Sequence, residues 1–152
     1  MLQDLDLTKL SDDELARLKA SGELRLAARA CRNDFLKYIQ FTMPDPEFYD
    51  DHTKSLYIAT PVARLLCEVL EKVERGELLR VAVSIGPQFG KSEPISRRFA
   101  PWFMGKNPWK HFMLGTYNQD FAMEFGAEVR SVIESQRHKL VFPQFRFKKG
   151  SE

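Results

Sequence analysis

The sequence predicts an α/β protein, in which an incomplete parallel sheet follows a small helical N-terminal region. Three observations support this. Apolar residues recur at three- and four-residue spacing through much of the chain before Gly76, the mark of amphipathic helices. Residues 78–85, LLRVAVSI, form a β-branched-rich run too short for a helix, and they lead straight into a glycine loop and a new helical pattern. Residues 111–116, HFMLGT, are a second short apolar run followed by another helical pattern. Strands that alternate with helices imply a parallel sheet joined by right-handed crossovers.

In chain order, Ser11 with Glu14 three places on is a capping-box pair, so a helix starts there, and Gly22 is expected to end it. From Glu23, the positions Leu24, Ala28, Cys31, Phe35 and Ile39 fall on one stripe, which predicts a second, longer helix. The stretch MPDPEFYDDHTK, residues 43–54, breaks that pattern. Its acids Asp45, Glu47, Asp50 and Asp51, beside His52, are metal-ligating residue types. With no second shell visible, a solvated connection is the expectation. Thr60 caps a third helix with Pro61 at its first position, where the missing N–H costs nothing. Its expected buried face is Val62, Leu65, Leu66, Val69, Leu70 and Val73, and Gly76 stops it. After the first strand, the glycine loop and a helix, GKNPW at 105–109 reads as a turn and 111–116 as the second strand. Asn118 caps a helix whose face is Phe121, Ala122, Phe125, Val129, Val132 and Ile133. One more short strand and a basic tail are expected from Gln136 onward. The chain thus divides into a helical lead with an acidic loop, 1–59, and an α/β core, 60–152.

At 152 residues, with 43% hydrophobic and 12% aromatic content, the chain can bury a core. Twenty-three basic against 21 acidic residues give a net charge of +2, so nucleic-acid contact has to come from local patches. Cys31 and Cys67 lie inside apolar helical patterns without metal-binding spacing and are expected to be buried thiols. The N-terminus is acidic where a signal peptide is basic and then apolar, and nowhere do about 18 apolar residues run together. A soluble protein of the cytoplasm, with no membrane partner, is the expectation.

The loop GPQFGKS, residues 86–92, has the parts of a phosphate cradle: a strand that delivers it, glycines that let the backbone come close, and a helix with unpaired N–H groups. Gly90 allows the close approach, Lys91 reaches the β- and γ-phosphates, and the Ser92 hydroxyl ligates magnesium. Pro94 is tolerated so near a helix start. The usual GxxxxGK[ST] pattern has a glycine where this chain has Ile85. The competing account is a plain strand-to-helix turn in which GKS is accidental.

Between Phe35 and Pro143 the chain resembles the N-terminal ATPase region of the large terminase subunit of tailed phages, the motor that pumps DNA into a procapsid. The likeness lies in LEKVERGELLRVAVSIGPQFGKSEPISRRFAPWFMGKNP, HFMLGTYNQDFAMEFGAEVRSVIES and LVFP. In that family the loop commonly lacks the first glycine and reads roughly PPRHGKSE. Gln88 and Phe89 stand here where the family often has Arg and His.

The resemblance implies a P-loop NTPase fold of the RecA-like (ASCE) kind, with ATP and Mg2+ as ligands. Gly86, Pro87, Gln88, Phe89, Gly90, Lys91, Ser92 and Glu93 would form the cofactor-binding set, with Lys91 in the catalytic role and Ser92 on the metal. Double-stranded DNA, the portal protein and the small terminase subunit are the implied partners, along with self-association in a motor ring. Tyr57 and Arg64 are candidates for adenine recognition by position alone. Arg130 falls in the family segment 117–130 and is either a site residue or a surface arginine on an amphipathic helix. Arg97 and Arg98 lie too far into the loop helix to hold phosphate, and a solvated or packing role is expected of them.

Hydrolysis also needs an acidic pair closing a third apolar strand, one carboxylate for magnesium and another group to orient water. No such sequence occurs here, nor does the family's nuclease half. The chain therefore reads as the first third of a terminase: a truncated gene, a prophage remnant or one piece of a split protein, expected to bind ATP without turnover. Two other readings remain, a helicase-type P-loop NTPase fragment and a non-catalytic binding module.

Overall fold

The structure, a computed structural model, describes residues 11–86 and 90–145. Six α-helices carry it: α1 Asp12–Ala30, α2 Phe35–Thr42, α3 Pro61–Glu74, α4 Phe99–Lys106, α5 Gln119–Glu134 and α6 Gln136–Val141. A π-helical turn, Glu93–Arg98, runs directly into α4.

The expected α/β fold with its parallel sheet is not what forms. Among the described residues the only β contact is one isolated antiparallel bridge between Pro44 and Ser55. Residues 81–86 and 111–116 carry no regular structure and much of their apolar surface faces outward: Val81 is 42% exposed and Met113 94%. The reason lies in what a strand requires. A β-run holds its shape only through a ladder of neighbours, and two or three short strands cannot supply one while burying both faces. The large apolar side chains sit instead on helices, which satisfy their own backbone groups, and the core forms helix on helix.

That core centres on α2. Phe35, Tyr38 and Ile39 are fully buried there, among Cys67 and Leu70 of α3, Phe99 and Trp102 of α4, Val132 of α5 and Val141 of α6. Phe35 meets Trp102 with ring centroids 4.9 Å apart and Phe99 edge-on at 5.7 Å, and the Trp102 indole N–H donates to the Cys31 carbonyl at 3.0 Å. One buried cluster thus joins Ala28 to Phe41 with Cys67 to Phe142.

Several boundaries differ from expectation for local reasons. The Ser11–Glu14 capping box is present, but α1 continues through Gly22 to Ala30. The expected stripe is interrupted at Asp34, whose side chain accepts from the Lys37 N–H and starts α2 afresh. Ala28, Cys31, Phe35 and Ile39 still face the core. Thr60 caps α3 as expected, yet Leu65 is 61% exposed. The strand expected after Gln136 is α6, begun by the Ser135 side chain accepting from the His138 N–H.

Both cysteines are buried free thiols, and burial pushes each up to about 12. Among the described residues no helix is long and apolar enough to cross a membrane, and no group of three or more His, Cys, Asp or Glu converges as a metal site. In the acidic connection, Asp45 and Asp51 accept from the backbone N–H groups of Glu47 and Thr53, as turn-forming side chains do.

Candidate nucleotide-binding loop

Irregular chain delivers the glycine loop. Residues 81–86 are largely exposed, and the chain turns at Gly90, whose φ of +70° is the left-handed conformation that glycine adopts without steric cost. Ser92 is already helical, with φ −69° and ψ −34°, and its hydroxyl makes no capping bond. The Lys91 carbonyl accepts from the Ile95 N–H at 3.2 Å, the first bond of the helix that follows.

That helix opens with a π-turn for a stereochemical reason. Pro101 lies in its interior, where it has no N–H for the Arg97 carbonyl and its ring presses on that group. Widening the preceding turn makes room, and the Phe99 N–H reaches back to the Pro94 carbonyl. Pro94 itself sits at the second position of the turn, where a missing N–H is tolerated.

Lys91 gives the loop its charge and its closure. Its ammonium donates to the carbonyls of Ile85 at 3.2 Å and Gly86 at 3.4 Å, so the side chain arches back across the loop and ties its end to its beginning. Neither partner is an anion. A phosphate entering the loop would exchange two neutral acceptors for charged ones, a stronger bond for an ammonium donor.

The other predicted residues are distributed as follows. Lys91 meets Gly86 across the loop, and Gly90, Ser92 and Glu93 adjoin Lys91 in the chain. Pro87, Gln88 and Phe89 lie outside the described residues. Glu93 is held by Arg98 Nε at 2.6 Å and Arg97 Nη1 at 3.2 Å. Arg97 Nε continues to Glu128 of α5 at 2.7 Å, and Arg98 Nη1 to the Thr42 carbonyl at 3.2 Å. The two arginines therefore clamp the loop helix to α5 and to the end of α2, a packing role.

Tyr57 is half-buried and packs against the core cluster. Burial, with Cys67 and then Glu93 acting in the same direction, pushes its phenol up to about 12. Arg64 is exposed on α3 and borders a separate hollow with Asp34 and Glu71. Arg130 lies on the exposed side of α5, two residues beyond Glu128. Sequence reasoning missed the Glu93–Arg97–Glu128 chain as a unit; its visible signal was Glu93 four places before Arg97, the spacing of helical ion pairs.

No protein-family model matches the chain, and neither a curated protein nor a solved structure is found to match it.

Proposed function

We propose that the chain is the ATP-binding N-terminal part of a tailed-phage terminase large subunit, the ATP-driven motor that packages DNA into procapsids. The observation that supports it best is the closed loop: a left-handed Gly90, then Lys91 folded back on Ile85 and Gly86, at the start of a helix. The loop, IGPQFGKSE, lies in one of the three stretches that carry the resemblance, with Gln88 and Phe89 departing from the family form. Lys91 would meet the phosphates, the backbone N–H groups near Ser92 would add their partial charge, and the Ser92 hydroxyl, which makes no capping bond, would hold Mg2+. Magnesium held there would supply charge neutralisation to the phosphates.

With no acidic pair closing an apolar run, the chain holds ATP without hydrolysing it. Double-stranded DNA, the portal protein, the small terminase subunit and further copies in a motor ring are the partners of this reading, in the cytoplasm of the host cell. Calorimetric titration of magnesium-ATP into the wild-type chain and Lys91→Ala tests it: binding to the first, lost in the second, is the expected result.

The helical architecture favours one second reading, a non-catalytic binding module that uses its exposed apolar runs for protein contacts. A chain that binds no nucleotide in either form would put that reading first.

A further inference from the structure

Away from the loop, the far end of the same helix opens onto a cavity of about 400 Å3 between Arg32, Asn33, Lys106, Trp109, Phe142 and Phe145. The helix from Glu93 to Lys106 separates it from Lys91 by roughly 20 Å at about 1.5 Å per residue, so a triphosphate on the loop does not reach it. Two features of this cavity are unexplained by packing. Trp109 is 72% exposed, a large aromatic surface left to water, whereas the other tryptophan, Trp102, is fully buried. Arg32 donates through Nε to the Val141 carbonyl at 2.7 Å, which fixes its guanidinium, and no carboxylate among the described residues pairs with it. Lys106, by contrast, is neutralised by Glu74 at 2.6 Å.

We infer that this cavity binds one nucleotide unit, with the base stacked on Trp109 and the phosphate on Arg32. An aromatic face beside an oriented, unneutralised guanidinium suits a planar base that carries an anion. The Asn33 amide offers a donor and an acceptor for a base edge. The volume holds one nucleotide and not a longer segment. The inference stands apart from ATP binding at Lys91.

The test uses the full chain carrying Lys91→Ala, so that loop binding is blanked, without magnesium. AMP and a short single-stranded oligonucleotide are titrated separately while tryptophan fluorescence is followed, with inorganic phosphate as the base-free control. Saturable quenching by either nucleotide probe, absent with phosphate, is the expected result; tighter binding of the oligonucleotide assigns the unit to a single strand, equal or tighter binding of AMP to a free nucleotide. Adding Trp109→Ala, a change at an exposed site, weakens calorimetric binding about 5- to 150-fold with an unchanged melt. Arg32→Gln, checked for an unchanged melt, weakens it in the same direction. No saturable signal from either probe up to millimolar concentration, or unchanged affinity in Trp109→Ala, overturns the inference.

Discussion

Glycines in this chain do unlike jobs that the letter alone does not distinguish. Gly90 turns the loop with φ +70° in open space, so Gly90→Ala meets no clash, but the left-handed conformation costs about 1–2 kcal/mol with a Cβ present. Gly105, expected in a turn, lies instead inside α4 beneath the Phe142 ring, and a Cβ there would sit 2.4 Å from that ring's Cδ2. Gly105→Ala is therefore expected to destabilise by about 1–3 kcal/mol through overpacking. Gly22 is the opposite case, exposed in mid-helix with nothing within 4 Å. Gly22→Ala should stabilise by about 0.5–1 kcal/mol through helix propensity. Denaturant midpoints of the two variants moving in opposite directions check both assignments; a shift in the same direction would show that one glycine has been misplaced.

Among the elements, α6 carries a buried group that responds to pH. His138 is buried, with Nδ1 2.8 Å from the Tyr38 hydroxyl and Nε2 without a partner. Burial, with Lys139 acting in the same direction, lowers its pKa from 6.5 to about 4. The unfolded chain therefore takes up the proton first, and stability falls as pH drops from about 6.5 towards about 4. A denaturation series over that window should show the loss, and His138→Asn should flatten its slope; an identical slope in both would remove His138 from the account.

Helix α6 also shows where sequence reading stops. The caps at Ser11, Thr60 and Asn118 were legible because capping is local chemistry, a side-chain oxygen meeting an N–H two or three residues on. The stripe through Ala28, Cys31, Phe35 and Ile39 was legible because burial follows helical period. Residues 78–85 and 111–116 were misread because short apolar runs become strands only when partners exist, and pairing is not a local property. The loop's glycine and lysine could be named in advance, but the return of Lys91 onto Ile85 and Gly86 could not, since nothing in spacing fixes a side-chain direction.

For the molecule as a whole, the helical core and the two unpaired runs make separate demands. Far-UV circular dichroism should show a helical spectrum with negligible strand. Leu79 is 89% exposed and Val81 and Val83 are 42% and 38%, in a segment with unladdered backbone, which is the composition that invites edge pairing between chains. Sedimentation of the wild type should be concentration-dependent, and Val83→Lys should suppress that dependence without altering the helical spectrum. A wild type that sediments as a monomer at every concentration would show that the exposed runs are harmless. Whether the loop holds a triphosphate is decided by magnesium-ATP calorimetry on the wild-type chain and Lys91→Ala, with circular dichroism showing both folded alike. Saturable binding to the wild type, weakened at least about tenfold by the substitution, is the predicted result. No heat from either chain, or equal affinity in both, would contradict it.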